Sequence, residues 1–272
     1  MINKIIKTIV GLLVFTGIIG SVLAHEFWIQ PDKFMVSPGT KLGANLYVGE
    51  NYLGEPWENR TNRTDFFRHY FMSGQTIVSN EVGLLKDSGI INIDIKEPGT
   101  HLLYLHSKPS FIELDGEKFN AYLKEDGMDN ILKLRTEKNE LHKPSREKYE
   151  RFAKTIIQCG NKYNDVNVFV KNEKMEIQLA KNPYQLKKGQ AMEIKVTFDG
   201  RPLANKMMVS WHKNKKGKFL GKKNYYSNAE GKIMFKPKGP GIWMISTVYM
   251  EEVNATDYDY HSYWGSVTFK IK

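Results

Sequence analysis

Apolar residues recur along most of the chain in runs of strand length, divided by turn-forming residues. Phe27-Trp28-Ile29, Phe34-Met35-Val36 and Leu42 to Val48 are separated by Pro31, Pro38 and Gly39, the pattern of short β-strands and turns. Glu50 to Thr64 is polar and rich in Asn and Arg, which predicts a long loop. Asp65 to Phe71, Gln75 to Ser79 and Ile90 to Ile95 resume the strand pattern, the last alternating Ile91, Ile93 and Ile95. The turn Glu97-Pro98-Gly99-Thr100 then leads into His101 to His106, an apolar strand with a histidine at each end.

Beyond that strand the period changes. Phe119, Tyr122 and Leu123 recur at helical spacing, as do Met128, Ile131 and Leu132, with Asp126-Gly127 breaking the two stretches. A third helix is predicted from Ser145 to Cys159. Ser145 is its N-cap, Glu147 lies in its first turn and Gly160 follows its end. Tyr149, Phe152, Ala153, Ile156 and Ile157 form its apolar stripe at i, i+3, i+4, i+7 and i+8.

From Asn167 onward the chain reads as strands again: 167–170, 175–179, 191–198, 207–212, 232–235, 241–249 and 264–271, with Gly, Pro, Asn and Asp turns between them. Such a run of short strands predicts an immunoglobulin-like sandwich. The expected fold class is therefore mainly β. It comprises two β-sandwich domains, 25–165 and 166–272, with a short helical insert near the end of the first.

Residues 1–24 read as a secretory signal peptide. Lys4 and Lys7 precede an apolar stretch from Ile9 to Ile19, and Val22 and Ala24 occupy the −3 and −1 positions of a cleavage site. The expected location is periplasmic or secreted, and after cleavage the protein is not an integral membrane protein. Cleavage leaves His25 as the first residue. The formal charge falls from +10 to +8 when Lys4 and Lys7 are removed. The remaining lysines are dispersed, densest from Lys213 to Lys223, where they suit a solvated hairpin edge that discourages strand pairing. Nucleic acid is not an expected partner. The single cysteine, Cys159, excludes an internal disulfide and reads as a packed apolar residue.

His25 is the sharpest candidate for chemistry. A free N-terminus would place an α-amine, with a pKa of about 7.7–8.0, beside the imidazole of the same residue. Amine and Nδ1 together chelate a metal, and a second histidine completes a three-nitrogen set that favours Cu(II), then Ni(II). The alternative is that histidine is simply tolerated after the cleavage site. His101 and His106 are separated by five residues and so lie on opposite faces of their strand. At most one of them joins His25, and His101 is preferred. The alternative for His101 is a hydrogen-bonded strand-end histidine. Glu26 and Glu50 are candidate oxygen ligands. His69 is a weaker candidate, and His142 and His212 read as exposed. Asp257, Asp259 and His261 alternate with Tyr258, Tyr260 and Tyr263 in a segment that suits a hard cation, a carbohydrate face or simple packing of aromatics. No phosphate-binding glycine loop, nucleophile elbow or His-Glu-x-x-His helix occurs, so an enzyme is not expected.

Several stretches, in order along the chain, resemble an exported β-domain family of unknown function, the DUF4198 type. They are His25 to Pro31, Val48-Gly49-Glu50, Lys118 to Leu123, Phe152-Ala153-Lys154, Asn182-Pro183-Tyr184, Phe198 to Ala204, Gly241 to Met244 and Ser262 to Phe269. The family has been grouped with periplasmic components of nickel and cobalt uptake. The resemblance implies a periplasmic β-rich protein that binds nickel, cobalt or copper and serves a membrane metal transporter. It also supports His101 as a ligand, since a histidine is often found there in the family. Where the family usually carries a histidine after the Trp-containing strand, this chain has Tyr249, and His261 is the nearest substitute. The rival expectation is a metal-free envelope module that contacts carbohydrate or protein through the aromatic loop.

Overall fold

A computed structural model describes residues 26–272 except 59, 85–89, 166, 168, 170–172 and 188. The signal segment 1–24 and His25 lie outside the described residues, as do Val168 and Val170 of the strand expected at 167–170. In chain order the elements are β1 (Glu26–Pro31), β2 (Met35–Val36), β3 (Thr40–Glu50), β4 (Leu53–Pro56), α1 (Arg60–Arg63), β5 (Thr64–Ser73), β6 (Thr76–Glu81), β7 (Ile91–Ile95), β8 (Gly99–Ser107) and β9 (Ser110–Leu114). Helices α2 (Gly116–Glu125) and α3 (Asp129–Glu137) follow, then β10 (Ser145–Cys159) and β11 (Met175–Leu179). The chain ends with β12 (Met192–Phe198), β13 (Arg201–Pro202), β14 (Met207–Lys213), β15 (Phe219–Tyr226), β16 (Lys232–Phe235), β17 (Gly241–Glu252) and β18 (Tyr260–Ile271). Strand accounts for 56% and helix for 11%, so the fold is mainly β, as the alternation predicts.

The strands form three sheets. A ten-stranded sheet runs β15-β14-β17-β18-β10-β8-β5-β6, with β2 and β9 also pairing to β10. A four-stranded sheet of β1, β3, β4 and β7 covers one face, and another of β11, β12, β13 and β16 covers the other. The first cover contributes Phe27, Ile29, Leu42 and Ile93 to a core against Leu103, Leu105 and Ile157. The second contributes Ile177, Ile194, Val196 and Phe235 to a core against Leu102, Phe152, Ile245 and Phe269. Helices α2 and α3 extend the first cover, setting Phe119, Leu123 and Ile131 against Tyr149, Val248 and Trp264.

Residues 145–159 form a strand, which overturns the predicted third helix. β10 is 15 residues long and lies at the centre of the ten-stranded sheet. It runs parallel to β18, from Glu147↔Tyr260 to Thr155↔Thr268, and antiparallel to β8 and β9. Phe152 and Ile156 enter one core while Ala153, Ile157 and Cys159 enter the other. A strand buried on both faces loses the period of two, and apolar residues of both parities then imitate a helical stripe. The β-branched run Thr155-Ile156-Ile157 suits the pleated conformation. The parallel pair β10–β18 also places strands from either side of residue 165 in one sheet.

The loop expected from Glu50 to Thr64 contains β4 and the short helix α1. Asn51 and Tyr52 turn the chain with positive φ, and Tyr52 is buried against Trp28 at 5.1 Å between ring centroids. The Lys-rich hairpin is β14–β15, and β15 is the edge strand its lysines predict.

Candidate functional site

Glu26 opens β1 and pairs with Gly49 of β3. Burial pushes its carboxyl up to about 7, with Glu50 and Glu125 adding to the rise and Lys222 opposing it. Asp126, the C-cap of α2, is raised well above the carboxylate range by burial and then by Glu26 and Glu125. A helix C-terminus already disfavours negative charge. Glu147 on β10 adds to the rise of Asp126 and is itself pushed up to about 7 by burial. Its Oε1 accepts hydrogen bonds from Tyr122 at 3.0 Å and from Ser262, while its Oε2 is buried with no hydrogen-bond partner among the described residues. At the start of β1, Glu26 and Glu147 thus both act on Asp126, and Lys222, Lys206 and Arg151 bring the opposing charge.

His101 does not reach this region. Phe27 O accepts from Ser266 Oγ at 2.6 Å, and Ile29 O accepts from Thr268 Oγ1 at 2.8 Å. Ser266 and Thr268 pair with Ala153 and Thr155 of β10, and Ile157 pairs with His101. β1 therefore runs from Glu26 toward the His101 end of the sheet, a separation on the order of 15 Å at about 3.3 Å per residue.

Both ring nitrogens of His101 are engaged. Nε2 lies 2.8 Å from the Glu97 carbonyl oxygen and Nδ1 lies 2.8 Å from His69 Nε2. A carbonyl only accepts, so His101 carries its proton on Nε2, and Nδ1 accepts from His69 Nε2–H. Both residues are buried, and the two rings stack at 5.0 Å beside Phe71. Burial holds His101 below its usual value and takes His69 down to about 3, helped by His101. The pair is a neutral, internally satisfied hydrogen-bonded unit.

His106 faces the opposite side of the strand, as its spacing from His101 predicts. It enters a polar chain that crosses five neighbouring strands. His106 Nδ1 lies 3.1 Å from Asp65 Oδ2, and Nε2 lies 2.8 Å from Glu150 Oε2. Glu150 Oε1 accepts from His261 Nε2 at 2.8 Å. His261 Nδ1 is 2.8 Å from the Tyr263 hydroxyl, which donates to Glu251 Oε1 at 3.1 Å. Carboxylates only accept, so both His106 contacts are hydrogen bonds when its ring carries two protons. Burial works to raise Glu150, but the hydrogen bonds from His106 and His261 outweigh it and hold the carboxyl well below the usual range. Nothing in the local spacing singles out Glu150, whose partners come from β8 and β18. Tyr249 pairs with Tyr263 and stacks on it at 6.5 Å, while His261 pairs with Glu251.

The aromatic segment is tied into the fold. Asp259 accepts from Arg146 at 2.8 Å, and Tyr260 and Trp264 are buried against the helices. His142 is exposed, as expected. His212 is not: it is 8% exposed and stacks on Trp243 at 3.8 Å. Among the described residues, no group of three or more His, Cys, Asp or Glu side chains is arranged to hold a metal ion, and no helix is long and apolar enough to cross a membrane.

No curated protein matches the chain. The family model described as a domain of unknown function, DUF4198, matches residues 22–251, and the chain belongs to that family.

Proposed function

We propose that the protein is an exported carrier of a transition metal, nickel, cobalt or copper, held at the start of β1 and passed to a membrane transporter. Its role is carriage rather than catalysis, in the periplasm or outside the cell. The observation that carries this reading is the cluster of carboxyls around Glu26. Glu26, Asp126 and Glu147 are all raised by burial, and Glu147 Oε2 has no hydrogen-bond partner among the described residues. A bound cation stabilises the ionised form of such carboxyls. His25 precedes Glu26 directly, so one peptide of about 3.8 Å joins its Cα to that of Glu26. Once the signal is removed, its amine and imidazole supply the nitrogens that nickel and copper prefer, and Glu26 and Asp126 supply oxygen. His101 is left out of this ligand set, because its nitrogens are engaged and it sits at the far end of β1.

Calorimetric titration of the mature chain with Ni(II), Co(II) and Cu(II) tests the proposal. Wild type is expected to bind at least one of them at a single site. Asp126→Asn and Glu26→Gln are expected to weaken binding by about tenfold each, while His101→Gln leaves it unchanged. Absence of binding in wild type, or equal loss in His101→Gln, overturns the assignment.

A further inference from the structure

An open groove of about 780 Å³ lies between the β14–β15–β17 edge of the ten-stranded sheet and the loop that follows β16. Its volume is that of a small-molecule site. The floor is apolar, with Trp243 and Ile271 3% and 4% exposed, and the exposed Pro240 and Leu220 add apolar lining. His212 lies flat on Trp243, and its Nε2 is occupied by the Pro240 carbonyl at 3.2 Å.

The walls are cationic. Five lysines, Lys187, Lys223, Lys236, Lys238 and Lys272, line the groove together with Lys222, and among the described residues no Asp or Glu does. Lys272 donates to the Tyr163 hydroxyl at 3.4 Å, and Lys223 lies over the Tyr225 ring at 4.6 Å. Among the described residues none of the five forms an ion pair. Edge protection accounts for Lys223 on β15. It does not account for Lys187, Lys236, Lys238 and Lys272, which come from three other parts of the chain and converge on the same space.

We propose that this groove binds a small anionic amphiphile, a molecule with a carboxylate or phosphate head and an alkyl or aromatic body. The uncompensated lysines attract the head, and the recessed Trp243–Ile271 floor takes the body. A neutral sugar is a poor occupant, because the lining offers no carboxylate or amide side chain to meet its hydroxyls. A bilayer surface is the alternative that the vesicle measurement below distinguishes. Lys222, which also lines the groove, carries charge that opposes Glu26 and Asp126, and the variants below leave it in place.

Calorimetry with decanoate, decanol, acetate and inorganic phosphate, with flotation on phosphatidylglycerol vesicles, tests the proposal. Decanoate is expected to bind wild type at one site and to weaken as salt rises. Decanol, acetate and phosphate are each expected to bind about tenfold or more weakly. The exposed pair Lys223→Glu/Lys238→Glu is expected to lose decanoate by a similar factor, and Lys223→Gln/Lys238→Gln provides the same comparison if the reversal impairs folding. Equal binding of decanol, equal binding of phosphate, or no decanoate binding overturns the proposal. So does vesicle binding that depends on these lysines when decanoate does not bind, which assigns the patch to a lipid surface.

Discussion

Glu150 and His261 are 111 residues apart in sequence and 2.8 Å apart in the fold, joined across the parallel pair β10–β18. The same carboxylate holds His106 from the other side at 2.8 Å. Glu150→Ala removes the acceptor of both imidazoles and is expected to cost about 3 kcal/mol of stability, measured by urea denaturation near neutral pH. Because the folded carboxyl is held below its unfolded value, its contribution is present above about pH 4.3 and is lost as pH falls further. In Glu150→Ala the acid limb of the stability curve should therefore be shallower than in wild type.

The His69–His101 unit predicts a second, separate pH dependence. Burial keeps both rings neutral, with His69 down to about 3. Unfolded histidines protonate near pH 6.5, so between that value and about pH 3 the unfolded state binds more protons and stability falls as pH falls. Each such ring contributes a slope of up to about 1.4 kcal/mol per pH unit. His69→Gln, whose amide still donates to His101 Nδ1, is expected to flatten the curve between about pH 6 and pH 4. An unchanged slope would show that the pair protonates freely.

Lys154 on β10 and Glu176 on β11 form a buried ion pair between the ten-stranded sheet and its second cover, with side chains 6% and 4% exposed. Removing one partner strands the other charge. Lys154→Met is expected to destabilise the fold by about 3–5 kcal/mol, and Lys154→Met/Glu176→Leu to recover most of that loss. Thermal or chemical denaturation of the two variants checks the order.

Gly241 has φ of 146°, and a Cβ there would lie 2.2 Å from the Lys213 carbonyl oxygen and 2.8 Å from His212 Nε2. Gly241→Ala is expected to cost about 2 kcal/mol and to displace the Pro240 carbonyl from His212. A chemical-shift change at the His212 ring would report that displacement.

Legibility followed burial. Strands with one solvated face, such as β7 with Ile91, Ile93 and Ile95, show their alternation directly. So do α2 and α3, whose apolar stripes meet the core on one side. β10 is misread for the opposite reason: with both faces buried it has no polar face to set a period. Glu150, the hub of the His106–His261 chain, has partners on β8 and β18 that local spacing does not single out. The neutral state of His101 depends on His69 and Glu97, and contacts between β5 and β8 are not encoded in local spacing. Glu26 stands out in sequence only through its neighbour His25, whereas its raised carboxyl depends on burial and then on Glu50 and on Glu125 at the end of α2.

The metal proposal rests on processing and binding together, and one measurement addresses both. Protein exported with its native signal and purified without chelators should be analysed by intact mass and by elemental metal content. The account predicts a chain beginning at His25 with stoichiometric nickel, cobalt or copper, and loss of that metal when one glycine is inserted between Ala24 and His25. A chain beginning at another residue, a metal-free wild type, or equal metal in the glycine-extended form would contradict it.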